Sequence, residues 1–136
     1  MSGLRSPLAR MRGLGSAKEG IAHWWAQRVT ALALAPLSLW FVFGLVARLG
    51  APPGDVTQWV ADPTVTVLLI ALLVATFHHA QLGLQVVIED YVHREATKLA
   101  LLLAVKAACW LLCAAGVLAV VRIAFMVQAV YVFGRG

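Results

Sequence analysis

Three long apolar runs, separated by two short polar stretches, dominate this chain. The first contains eighteen uncharged residues, Val29 to Val46 (VTALALAPLSLWFVFGLV). As a helix they span ~27 Å, close to the thickness of a bilayer core. Trp24 and Trp25 stand at its entrance, where indole rings favour the headgroup region. Pro36 falls mid-span and is expected to kink the helix. Gly50, Pro52, Pro53 and Gly54 then end it in a loop, with Trp59 as a second interfacial aromatic. The second run follows Pro63 and continues for thirty residues to His93. Its ~45 Å exceeds the ~30 Å hydrocarbon core, so the polar end from Glu89 to Glu95 must protrude. The third extends from about Leu99 to Val121 and includes Lys106, Cys109, Trp110 and Cys113.

This pattern predicts an all-α, integral membrane three-helix bundle with up-down-up topology, occupying residues 21–124. The helices are expected at about 25–48, 64–93 and 98–122. Residues 1–20, rich in Gly, Ser and Arg, read as a cytoplasmic N-terminal arm. Residues 125–136 are apolar but short and read as an interfacial C-terminal tail whose role stays open.

Of the 136 residues, 62% are hydrophobic and 12% charged. Ordinary globular domains carry about 45–50% and about 25%. A soluble fold of this size hides only about two-thirds of its unfolded surface, so a soluble single-domain enzyme is excluded, as is a disordered tail. The formal charge of +5 matters through its placement. Arg5, Arg10, Arg12, Lys18 and Arg28 precede the first apolar run, opposed by Glu19 alone. Arg94 and Lys98 follow the second run, while the first loop carries Asp55 and Asp62 against Arg48. Short loops rich in Lys and Arg stay in the cytoplasm, so the N-terminus and the second loop are expected there. Topology accounts for the basic excess, and nucleic acid is not an expected partner. Cys109 and Cys113 share one helix face at a spacing of four and read as small hydrophobes. No CxxCH occurs, which excludes covalent haem attachment. No small-residue cleavage site closes a short apolar core, so no secretory signal is expected.

Ionisable residues inside a bilayer cost at least about 2.5–3.5 kcal/mol each, which makes them functional candidates. His78 and His79 lie well inside the second segment. A buried histidine commonly just bonds a neighbouring helix, but neutral imidazole is also a common ligand of metals and haem iron. Gly83 is one turn from His79 on the same face, where a missing side chain makes room for a flat macrocycle. Asp90 is eleven residues on, about 1100° of rotation, so it returns to within ~20° of His79 and ~16 Å further along the axis. His79, Gly83 and Asp90 thus form one stripe, from which His78 points about 100° away. A single such histidine supplies one axial ligand, so a bis-histidine haem takes the other from a partner chain. Arg28, at the start of the first segment, is either a snorkelling anchor or a bidentate partner for an anion such as a haem propionate. Tyr91 is either an interfacial aromatic or a phenol donating to a carbonyl oxygen, with Asp90 beside it to hold or relay a proton.

The string from His79 to Val92 (HAQLGLQVVIEDYV) resembles the His-(ten residues)-Asp-Tyr signature of the small hydrophobic anchor subunit of succinate dehydrogenase, respiratory complex II. The segments Gly15–Gly20 and His23–Ala31 (HWWAQRVTA) are similar to the proteobacterial form. The resemblance covers roughly residues 13 to 95, and the three-helix hydropathy extends it across the chain. It implies that haem b is shared between two membrane subunits, with His79 rather than His78 as this chain's ligand to the haem iron. It further implies Arg28 near the haem propionates, Tyr91 hydrogen-bonding a ubiquinone carbonyl, and Asp90 as its acidic neighbour. The implied partners are a larger cytochrome b anchor subunit, an iron–sulfur subunit and a flavoprotein subunit, in the bacterial inner membrane. The chain alone is then expected to be non-catalytic. His23, beside the double Trp, is a candidate for the approach to the quinone site.

Two other classes remain. A fumarate reductase-type complex shares the same architecture and differs in direction and quinone. A small proton-coupled transporter needs a carboxylate deep in a membrane helix, and here helices one and three have none, while Glu89 and Asp90 sit at a helix end.

Overall fold

The computed structural model describes residues 15–134, which form four helices and no strand. Helix α1 is Gly15–Val46, α2 is the short Asp55–Ala61, α3 is Pro63–Tyr91 and α4 is Glu95–Phe133. Three of them, α1, α3 and α4, are long and apolar enough to cross a membrane. The apolar residues are spread around these helices rather than gathered on one stripe, as suits a helix facing lipid. Among the described residues only Ala61, Leu69, Leu82, Cys109 and Cys113 are buried.

Helix α3 is the centre of the bundle and packs against α1 on one side and α4 on the other. Its start is written locally. Asp62 caps it, accepting from the amides of Thr64 at 2.9 Å and Val65 at 3.2 Å, and Pro63 occupies the first turn. Helix α1 runs through Pro36 without a break. It ends near Gly50, whose φ of 83° closes the turn, and Gly54, at φ 100°, opens α2. Close approach between α3 and α4 centres on Gly116, where a Cβ would meet the tip of Leu73 at 3.2 Å.

Two features differ from the expectation and a third adds to it. Helix α1 begins at Gly15, so the last residues assigned to the arm are helical, and the rest of the arm lies outside the described residues. Helix α4 continues past Arg122 to Phe133, because no glycine or proline interrupts the chain between Gly116 and Gly134. The expected interfacial tail is therefore the end of a 39-residue helix, ~58 Å long, and it packs against α2. Trp59, expected as an interfacial aromatic, also packs from α2 against α1, a contact the sequence did not foretell. Its ring stacks on Phe41 at 6.2 Å and tilts on Trp40 at 5.7 Å, and the Arg48 guanidinium lies 4.4 Å above it. The missing side chain of Gly44 makes this possible, since a Cβ there would stand 2.5 Å from the indole. Arg48 closes the corner, donating to the Gly44 carbonyl at 2.8 Å and pairing with Asp55 at 3.4 Å.

Candidate functional site

The two adjacent histidines of α3 face different neighbours. His79 turns to α1, where its Nδ1 lies 3.0 Å from the Thr30 hydroxyl. His78 turns to α4 and lines a cavity of about 40 Å³ with Phe77, Gln81, Cys109, Trp110 and Cys113. The ~100° between successive helix positions produces this split. Among the described residues no group of three His, Cys, Asp or Glu side chains is arranged to hold a metal ion by itself. An iron held here therefore needs a planar chelator or a partner's ligand beside His79.

Whether the chain fits a haem can be tested on two local features. Thr30 binds back to its own helix, its hydroxyl 2.7 Å from the Ala26 carbonyl and 3.1 Å from that of Gln27, and so anchors one edge of the His79 ring. Nε2, the atom through which imidazole commonly ligates, has no hydrogen-bond partner among the described residues. Four residues on, a Cβ added to Gly83 would meet nothing within 4 Å. A half-buried imidazole with a free nitrogen beside unfilled space fits one face of a flat macrocycle.

Asp90 and Tyr91 end α3, and the turn to α4 takes up carbonyls of this last turn while leaving their side chains exposed. Val92 is extended and donates its amide to the Ile88 carbonyl at 3.0 Å. Lys98 Nζ reaches the Glu89 carbonyl at 3.2 Å, and His93 Nδ1 bonds the Tyr91 carbonyl at 3.2 Å. These side chains take up carbonyls that a helix end leaves unpaired. Gln85 Nε2 donates to Glu89 at 2.8 Å, one turn away on α3. Asp90 is exposed and Tyr91 is 78% exposed. With α3 unbroken, the column His79, Gly83, Asp90 expected from helix rotation exists as one helix.

Arg28 is exposed and stacks on the Trp24 ring at 5.0 Å, while Trp24 packs edge-on to Trp25 at 5.2 Å. Arg28 lies two positions from Thr30, so its side chain leaves α1 about 200° away from the hydroxyl that meets His79. His23 is half-buried, with Nε2 shielded and without a hydrogen-bond partner among the described residues. It stands seven residues before Thr30, almost on the same helix face.

Sequence reasoning did not single out Thr30. Its available signal was a hydroxyl residue two positions past Arg28 in an otherwise apolar run, which alone does not tell a bond across helices from a bond within one. The roles of His93 and Lys98 in closing α3 were likewise not foreseen, although both are cationic-type residues just past a helix end.

Residues 2–113 match the family described as succinate dehydrogenase/fumarate reductase transmembrane subunit. The match takes in α1, α2, α3 and the first half of α4. Among curated relatives, the succinate dehydrogenase hydrophobic membrane anchor subunit of Rickettsia bellii is 33% identical over 102 residues, covering 75% of this chain and 82% of its own. The succinate dehydrogenase membrane anchor subunit of Reclinomonas americana is 33% identical over 93 residues, covering 60% of this chain and 71% of its own. The corresponding anchor subunit of Paracoccus denitrificans is 28% identical over 117 residues, covering 86% and 90%. No solved structure matches the chain. Three membrane-length helices and these relatives make it a multi-pass membrane protein, and it belongs to the family of succinate dehydrogenase/fumarate reductase transmembrane subunits.

Proposed function

We propose that this chain is the small membrane-anchor subunit of a succinate:quinone oxidoreductase, that His79 is one axial ligand of haem b, and that Tyr91 and Asp90 form part of the ubiquinone-reduction site. The observation that carries the haem reading is His79 itself, fixed at Nδ1 by Thr30, free at Nε2 and next to the open space at Gly83. A haem so bound supplies a one-electron carrier within the bilayer. The chain offers a single histidine to this face, so the second ligand falls to the larger cytochrome b anchor subunit. Arg28 carries the donor fork that a propionate would take, from the side of α1 turned away from Thr30.

At the end of α3 the Tyr91 phenol is a donor for a quinone carbonyl, and Asp90 is its acidic neighbour. Both are displayed beside a turn that holds the carbonyls of Glu89 and Tyr91 and leaves the Asp90 and Tyr91 side chains accessible. The basic N-terminus and the α3–α4 turn, with Arg94 and Lys98, support the reading that this end faces the cytoplasm across the bacterial inner membrane. There the chain anchors the iron–sulfur and flavoprotein subunits and receives electrons from the iron–sulfur subunit. The curated relatives carry the succinate dehydrogenase name, which favours succinate oxidation over fumarate reduction.

The test is the absorption spectrum of the purified complex with and without His79. A low-spin b-type haem is expected in the wild type, diminished or shifted in His79→Ala and retained in His78→Ala. Haem lost with His78→Ala and kept with His79→Ala would reverse the ligand assignment. Failure to co-purify with a flavoprotein and an iron–sulfur protein would overturn the anchor reading.

A further inference from the structure

We infer that Thr30 is a positioning residue for His79, setting the tautomer in which Nδ1 carries the proton and Nε2 the lone pair. The inference rests on the reading of His79 as a haem ligand and deepens it. A threonine hydroxyl has one proton to give. Three partners surround it: the Ala26 carbonyl at 2.7 Å, the Gln27 carbonyl at 3.1 Å and His79 Nδ1 at 3.0 Å, of which only the carbonyls are bound to accept. The shortest contact takes the proton, and it points into α1. The lone pairs of Oγ1 are then left facing Nδ1 across helices, an arrangement that is attractive only if Nδ1 is the donor. Neutral imidazole has one N–H, so Nε2 is left with the lone pair that ligation requires.

The alternative orientation reverses every step. A hydroxyl turned toward His79 would donate to Nδ1, put the proton on Nε2 and block that nitrogen as a ligand. Binding back to the preceding turn of α1 guards against this and holds Oγ1 in place. Two helices with no covalent link close to this point are thus joined where the ring must not rotate. A ligating histidine whose other nitrogen donates to an acceptor is also a stronger electron donor to its metal.

The test compares purified complexes carrying Thr30→Val, Thr30→Ala and Thr30→Ser. Valine keeps the shape and loses the hydroxyl, alanine loses both, and serine keeps the hydroxyl. Haem loss to apomyoglobin should accelerate by ~10–100-fold in the valine and alanine variants, the usual scale for losing such a support. Their haem midpoint potential should shift upward, because a weaker imidazole donor stabilises the ferric state less, and the serine variant should stay near wild type in both readouts. Valine and alanine variants that match wild type in haem retention and potential overturn the inference. So does a serine variant as impaired as valine, since the methyl group would then be responsible. A wild-type complex with no b-type spectrum overturns the ligand reading and this inference with it, whereas a wild-type spectrum unmoved by Thr30→Val overturns this inference alone.

Discussion

Tyr91→Phe removes one oxygen atom from a side chain that is 78% exposed at the last residue of α3. The bonds at this turn use its carbonyl, which accepts from His93 at 3.2 Å, and its phenol bonds nothing among the described residues. The substitution should therefore leave the fold intact. Its effect on function depends on what the hydroxyl does for the quinone. A neutral hydrogen bond is worth about 0.5–1.5 kcal/mol, so losing one lowers kcat/KM for ubiquinone by about 2- to 13-fold. A hydroxyl that also delivers a proton in the transition state is worth ~100-fold or more. With the phenol exposed, where water can also deliver protons, the smaller loss is expected. The assay is paired, with succinate-driven ubiquinone reduction measured beside succinate-driven reduction of an artificial dye in the same complex. The first should fall within the stated range and the second should hold. Equal loss of both would refute the reasoning from exposure, because Tyr91 would then be supporting assembly. Unchanged ubiquinone reduction would remove the hydroxyl from the site.

Three glycines give contrasting outcomes for the same substitution. Gly44→Ala drives a methyl group to 2.5 Å from an indole that Trp40, Phe41 and Arg48 hold in place, so it should destabilise by about 1–3 kcal/mol in thermal dissociation of the complex, and Trp59→Leu in the same chain should relieve most of that cost. Gly116→Ala meets only the rotatable end of Leu73 at 3.2 Å, and the gain in helix propensity of about 1 kcal/mol offsets the shift, leaving stability nearly unchanged. Gly83→Ala meets nothing within the chain, so the helix should form at least as well as in wild type by circular dichroism. If haem fills that space, the same change should weaken haem retention in the assembled complex, and unchanged retention would move the haem away from Gly83.

Much of the fold was legible because bilayer helices are written in long apolar runs, and α3 was the most legible of all. The pair Asp62-Pro63 marks its start, and the end falls at Tyr91, where the polar residues gather. The boundaries of α1 and α4 were less so, since hydropathy registers the stretch that needs lipid and not the helix that continues beyond it. Helix α4 continues for eleven residues past Arg122 because a helix tolerates a charge that a hydropathy window penalises. Trp59 shows a different limit. An aromatic near a predicted helix end looks the same whether it faces lipid headgroups or a glycine on another helix, and only Gly44 distinguishes the two. Within the site, rotation along one helix could be computed from spacing, which is why the stripe His79, Gly83, Asp90 was available. The bond from Thr30 to His79 joins residues 49 apart and depends on how α1 and α3 pack, which no local period encodes.

That packing also constrains what covers the stripe. The α3 side chains lining the cavity against α4 include Val74, Phe77, His78 and Gln81. Val74, Phe77 and Gln81 lie about 140–160° around the helix from His79, and His78 about 100°. Helix α4 is therefore committed to the opposite side of α3 and is kept away from the stripe. Helix α1 reaches the stripe at Thr30, but one turn further along, at Gly83, a Cβ would have no neighbour within 4 Å. The two neighbours of α3 thus leave open the space at Gly83, one turn from His79, and, further along, the exposed Asp90. Lipid tails offer no partner to an unpaired imidazole nitrogen, and leaving one in hydrocarbon costs on the order of 1–3 kcal/mol. The proposed haem would meet both demands, bonding Nε2 and lying flat where Gly83 has no side chain.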